Sequence, residues 1–347
     1  MPALLGRLTG LLAAAWCALS VAAAGVTTAP DPDAAAADPA LLRIWGHGSR
    51  DNDYLSQLIR VWSEGFRRLH PEVRIQTTLR GDATGIGGLY TAAADLALME
   101  REPLAIELDG YRSVLGEDPF RITVATGSLD RPHRAMAPLI FVHKNNPLRQ
   151  LSLQQLDAIL GADHRRGPKN IRTWGELGLK GGWADKPITV YTSQLVGDVP
   201  QYLQAAVMEG SQKWTASLHE FGAGRSGQDR DADAGAQVIA ALARDPAGLA
   251  IAHWIHRTPE VVVVALAAQA GGPYVLPSRR TLMQHAYPLT RSVYFYMQSS
   301  PGKVMAPAVD AWARHVLSPE GQRAIAQEGG YLPLTPELAR RELERLP

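Results

Sequence analysis

Three stretches of this chain place glycine, serine, threonine or aspartate directly after an apolar run and directly before a helical pattern. They are Gly46-His47-Gly48-Ser49, Gly81-Asp82-Ala83-Thr84-Gly85-Ile86-Gly87 and Thr192-Ser193-Gln194-Leu195-Val196-Gly197-Asp198. A helix start offers unpaired backbone N–H groups and a partial positive charge, glycine lets a ligand approach the backbone, and a hydroxyl adds a donor. Converging on one cleft at the carboxyl ends of strands, such loops bind a small anion without lysine or arginine. Each loop alone also reads as an ordinary helix cap. Only their joint use points to a site.

Other chemistry is less well supported. Gly222-Ala223-Gly224-Arg225-Ser226-Gly227 matches the dinucleotide pattern G-x-G-x-x-G, but WTASLHEF before it is a poor buried strand, and the segment reads as a loop. His253 and His256 have a spacing that would suit metal ligands on a helix, yet GLAIAHW reads as a strand, on which the two side chains diverge. No G-x-S-x-G or H-E-x-x-H occurs, so nothing selects a hydrolase, and no cofactor or metal is expected. Lys and Arg number 35 against 34 Asp and Glu, which leaves no basic excess for a nucleic acid.

The elements that must position the loops alternate between strand and helix. LLRIW (41–45) precedes a helix from about Asp53 to His70, with Leu55, Leu58, Ile59, Trp62, Phe66 and Leu69 on one face. Val73 to Leu79 then alternates as a strand. Further strands are expected at 95–99, 120–126, 136–143, 187–191, 248–252, 261–268 and 292–298, and a small helix after the Gly-rich loop through LYTAAA. Ser152 and Gln155 form a capping-box pair at a helix start, and Asp198 is the expected cap of the next. Ser318, Pro319 and Gly329 bracket a helix near the C-terminus. The fold class is α/β, and 347 residues exceed one hydrophobic core, so two lobes are expected.

The N-terminus combines Arg7, an apolar run and Ala22-Ala23-Ala24, the parts of a cleavable signal peptide over residues 1–24. Cys17, the single cysteine, would leave with it, so no disulfide is expected; Trp16 before it argues against a lipid anchor. The leader also holds Arg7 and no acid, which leaves 34 cations against 34 anions. Residues 25–40 are Ala-, Pro- and Asp-rich and read as a flexible linker.

Across almost its whole length the chain resembles the solute-binding proteins of phosphate ABC transporters, the PstS-like branch of the type 2 periplasmic binding proteins. The resemblance lies in RIWGHGS, GDATGIGGLYTAAADLALMERE, APLIFVHKNNPLRQLSLQQLDAIL and IRTWGELG, and most specifically in YPLTRSVYFYM and VLSPEGQRAIAQEGGYLPL. It implies a two-lobed type 2 periplasmic binding protein fold with a ligand cleft between lobes: residues 41–135 and 261–347 in lobe I, 136–260 in lobe II. It further implies a periplasmic monomer, not an enzyme, that captures phosphate or a similar small oxyanion for the permease of an ABC importer. The alternative is an exported receptor of the same fold with a different ligand or none, signalling to a membrane partner.

The residues carried over as ligand-binding are Gly48 and Ser49 in the first loop; Thr84, Gly85 and Ile86 in the second; Asp95 and Arg101 around the following strand; and Thr192, Ser193 and Gly197 in the third. The third loop departs most from the family. Thr192 stands where an arginine is expected, and Asp198 threatens to place a carboxylate beside the anion. Like charges 4 Å apart repel by roughly 4 kcal/mol at an effective dielectric of 20. Such a carboxylate is tolerable if it accepts a proton from the ligand, which monohydrogen phosphate offers. Arg225 and Arg291 are candidates to replace the lost arginine.

Overall fold

A computed structural model describes residue 38 and residues 40–48, 54–222, 229–298 and 305–347, excepting the side chains of 229–233. The leader with Cys17, most of the linker, Ser49 and residues 223–228 of the G-x-G-x-x-G match, Arg225 among them, lie outside the described residues.

Two five-stranded sheets organise the chain. The first has the order β2-β1-β3-β12-β4, from β1 (Leu41–Gly46), β2 (Arg74–Leu79), β3 (Leu96–Met99), β4 (Phe120–Thr126) and β12 (Ser292–Met297). β1 is parallel to β2 and β3, and β12 runs antiparallel to β3 and β4. The second has the order β10-β5-β9-β7-β8, from β5 (Leu139–His143), β7 (Thr189–Ser193), β8 (Leu218–Phe221), β9 (Gly248–Ala252) and β10 (Val261–Val263). β6 (Gln150–Ser152) and β11 (Ala265–Ala267) pair separately.

Each sheet has its own core. Leu55, Leu58, Ile59, Trp62 and Phe66 form the buried stripe of α1 (Tyr54–Leu69), the face the periodicity marks out, whereas Leu69, expected on it, is exposed at the end of the helix. The stripe packs against α8 (Pro307–Leu317) and α9 (Pro319–Glu328): Trp62 meets Trp312 edge-on at 6.5 Å between ring centroids, and its indole N–H donates to the Gly321 carbonyl at 3.1 Å. The apolar run of β9 is buried throughout, as a strand covered on both faces must be. α4 (Leu153–Leu160), α5 (Asp198–Ala206) and α6 (Asp229–Leu242) belong to this second half of the chain.

Three expectations are corrected. The Gly-rich segment is a helix from its second residue, α2 (Asp82–Tyr90), rather than a loop leading into one. Its glycines permit close packing: a Cβ on Gly85 would lie 3.1 Å from that of Ala97, and one on Gly88 2.9 Å from the Trp45 ring. The run 261–268 is not one strand, because its backbone changes partners. Val264 N–H donates to Ile140 O, and Ala265 N–H to Arg149 O, so β10 joins β5 while β11 joins β6. Residues 261–289 also pack with the second sheet rather than the first, since Val261, Val264, Leu266, Leu282, Tyr287 and Leu289 are buried in its core. The helix α3 (Ala105–Leu115) has no apolar period to announce it: only Tyr111 is buried, and Ile106 and Val114 face solvent.

The chain passes from the first sheet to the second through residues 127–138 and returns at 290–291. Gly127 N–H donates to Arg291 O at 2.8 Å and ties the two crossings together.

Candidate functional site

A cavity of about 450 Å³ opens where the strand ends and helix starts of the two sheets face each other. β1 ends in Gly46, whose φ of +150° turns the chain so that His47 N–H reaches Leu98 O. β3 ends one residue before Glu100 and Arg101, α2 begins with Asp82, α5 begins with Asp198, β9 ends one residue before His253, and Arg291 directly precedes β12. All seven of these side chains line the cavity, with Tyr331 from beyond α9.

The polar side is a network of paired charges. His47 lies between Asp82 (Nδ1 to Oδ2, 2.9 Å) and Glu100 (Nε2 to Oε2, 3.3 Å). Tyr331 donates its hydroxyl to Glu100, and Glu100 N–H donates to Asp82 at 3.3 Å. Arg101 grips Glu107 with two bonds of 2.7 and 2.8 Å and approaches Asp82 at 3.6 Å. Arg291 is 4% exposed and donates to both carboxylate oxygens of Asp198 and to the Glu100 carbonyl at 3.2 Å. Its Nε is buried without a hydrogen-bond partner.

These contacts set the protonation states. Burial alone would lower the pKa of His47, but the hydrogen bond to Asp82 and the charges of Glu100, Asp82 and Asp198 override it and raise it to about 9, so His47 is a cation at neutral pH. Burial lowers His253 to about 4, with Arg291 and His256 adding to the fall, so it is neutral. Burial pushes the Glu100 carboxyl up, against the pull of His47, the Tyr331 hydrogen bond and Arg291. Asp198 is held below its ordinary value by Arg291, in spite of the opposing effect of burial.

The His47 shift carries a prediction. Because the folded-state pKa lies above the ordinary 6.5, protonation of His47 favours the folded chain; its contribution is complete below pH 6.5 and is lost as pH rises through 9. Urea midpoints measured at pH 6, 7.5 and 9.5 are expected to fall more steeply for the parent protein than for His47→Gln. Equal slopes would show that His47 does not gain its proton from this network.

The residues expected from sequence scatter. Gly48 and Arg101 line the cavity, whereas Ser49 lies outside the described residues. The Thr84 hydroxyl is engaged by its own helix start, donating to Gly81 O at 2.8 Å. Gly85 and Ile86 are buried against β3. Thr192 is buried within β7, its hydroxyl without a hydrogen-bond partner, and Ser193 is half-buried beside it. Gly197, not Asp198, is the N-cap of α5. His253 begins a short 3₁₀ turn with His256 rather than continuing the strand, which brings both imidazoles to the cavity. Among the described residues no group of three or more His, Cys, Asp or Glu could hold a metal ion.

Asp95 sits at the other end of β3, where it accepts from Arg43 N–H, Nε and Nη2 at 2.7, 3.1 and 2.7 Å. It anchors β1 to β3 and does not face the cavity. Asp95→Ala is expected to cost about 1–3 kcal/mol of stability, the loss of a hydrogen-bonded, partly buried charge pair, and to leave anion affinity unchanged. A tenfold loss of affinity by calorimetry would return Asp95 to the site.

Comparison with known proteins agrees with this architecture. The family described as "PBP superfamily domain" matches residues 33–320. The phosphate-binding protein PstS of Pseudomonas aeruginosa is 30% identical over 338 residues, covering 95% of this chain and 97% of that protein. PstS from Borrelia burgdorferi shares the fold at a TM-score of 0.56 and 11% identity, covering 85% of this chain and 99% of that one. A possible phosphate-binding protein from Planctomyces limnophilus gives 0.50 and 16%, covering 88% and 96%. Two α/β sheets joined by a double crossing with a polar cavity between them, matched over most of the length by these relatives, place the chain in the PBP superfamily, as a PstS-like member.

Proposed function

We propose that this chain is an exported, monomeric solute-binding protein that captures phosphate, or a closely related oxyanion, and delivers it to the permease of an ABC importer. It acts as a binding protein and not as an enzyme. One observation carries the reading: Arg291, a buried fork-shaped cation, faces a cavity between the two sheets and holds a carboxylate with the paired geometry that a phosphoryl group also presents. Phosphate would take the place of Asp198 on Arg291, with protonated His47 as the second cation. The carboxylates of Asp82, Glu100 and Asp198 favour an anion that brings a proton with it. The Pseudomonas relative's name supports the same ligand.

Titration calorimetry on purified protein, stripped of bound ligand by unfolding and dialysis, is expected to show one site for inorganic phosphate at pH 7.5. No heat at millimolar phosphate would overturn the proposal. A second reading, a receptor with a different ligand or none, draws on the fact that Asp198 already occupies both terminal nitrogens of Arg291. Binding of phosphate by Asp198→Asn but not by the parent protein would favour it.

A further inference from the structure

The cavity is less polar than a bare tetrahedral anion requires. Away from Arg291 and His47 the wall changes character: Tyr54, Pro132, Met136, Val196 and Ile255 present carbon to the same space. Val196 and Ile255 are exposed, 80% and 39%.

This apolar side is also held rigidly. The Tyr54 ring is stacked on His133 at 5.8 Å between centroids, and the Arg134 guanidinium lies 3.5 Å from the ring centre. Arg134 is buried and paired with Glu328 at 3.2 Å. His133 and Ala135 both line the cavity with positive φ, +57° and +44°, a conformation that costs a non-glycine residue energy and collects at ligand-holding segments. A wall fixed at this expense and faced with carbon fits a ligand that has carbon to place against it.

We infer that the preferred ligand is a substituted phosphoryl anion, R–PO₃ or R–O–PO₃, with its head on Arg291 and His47 and its organic group R against Tyr54, Met136 and Ile255. The inference rests on the phosphoryl-binding reading given above and narrows it. No bond is made or broken on binding. Phosphonates and phosphate monoesters share this chemistry and differ only in the atom that joins R to phosphorus.

The test is a set of calorimetric titrations of the stripped protein with inorganic phosphate, phenylphosphonate and phenyl phosphate. At least one substituted anion is expected to bind tenfold or more tightly than phosphate, ~1.4 kcal/mol. Preference for phenyl phosphate alone would assign the class to monoesters, and preference for phenylphosphonate alone to phosphonates. Ile255→Glu should reduce that preference at least tenfold, read as the ratio of the two affinities, so that any general loss of folded protein cancels. If phosphate binds and neither substituted anion exceeds it, the inference is overturned and the proposed function stands. If none of the three binds, the proposed function fails as well.

Discussion

Arg291→Ala is expected to lower phosphate affinity at least 100-fold. The parent side chain has two terminal nitrogens able to donate to one anion, and each hydrogen bond involving a charged group is worth about 1.5–3 kcal/mol. Losing two is about 3–6 kcal/mol, which exceeds the two factors of ten at 1.4 kcal/mol each. The remaining wall opposes an anion further. Among the described residues Asp82, Glu100 and Asp198 would keep His47 and Arg101 as their charged partners, and Arg101 is already held by Glu107. Arg291 is buried, so its removal also leaves Asp198 without its main partner and lowers the melting temperature. Arg291→Lys separates the two effects, because it keeps the charge and loses the fork; an intermediate affinity is expected. A folded Arg291→Ala protein binding phosphate within tenfold of the parent would remove Arg291 from the site.

Gly46→Ala is expected to destabilise the chain by about 2–6 kcal/mol, through overpacking of ~1–3 kcal/mol and backbone strain of ~1–3 kcal/mol. A Cβ at this position would stand 1.9 Å from Leu98 O and 2.9 Å from Leu98 N, both backbone atoms of the neighbouring strand. No rotamer change relieves a contact with backbone. The φ of +150° adds strain for any residue with a side chain. β1 would have to move away from β3 at the point where the two strands deliver His47 and Glu100, so anion binding should fail together with stability. Urea unfolding gives the first quantity and calorimetry the second. A stability loss under about 1 kcal/mol would show that β1 and β3 separate there without cost.

What could be read from the sequence was what short stretches decide by themselves. Ser152 accepts from Gln155 N–H at 3.1 Å and Gln155 returns a bond to Ser152 N–H at 2.9 Å, a reciprocal cap complete within four residues. The Ser318, Pro319 and Gly329 signals bracket α9 as expected, and Gly329 is left-handed at the end of the helix. α3 was not legible, because its apolar residues mostly face solvent and its start rests on Glu107 accepting from Leu104 N–H rather than on a Ser or Thr cap.

The site was legible in its loops and in two of its side chains, Arg101 and Arg291, but not in the charged network between them. His47, Asp82 and Asp198 lie within the three loops singled out by composition, yet glycines and hydroxyls drew the attention there and the charged neighbours form the network. Arg291 and Tyr331 meet Glu100 from 191 and 231 residues away, a proximity that only the strand order creates. Asp95 shows how a strand direction could have corrected the resemblance. The four residues of β3 lie between Asp95 and Glu100, which puts the two about 16 Å apart at 3.3 Å per residue. Ligands lie at the carboxyl end, which selects Glu100.

The double crossing has a mechanical consequence. Among the described residues two segments join the sheets, 127–138 and 290–291, and the bond from Gly127 to Arg291 lies between them. In a rotation of one sheet against the other about that line, displacement grows with distance from the line, as along a lever. Arg291 sits at the fulcrum, where its backbone would scarcely shift, while parts of each sheet farther from the line would swing through larger arcs. A phosphoryl group could therefore be gripped at a fixed point before the rest of the cavity closes on it. The same placement makes the joint itself the first part of the protein to register that the ligand has arrived.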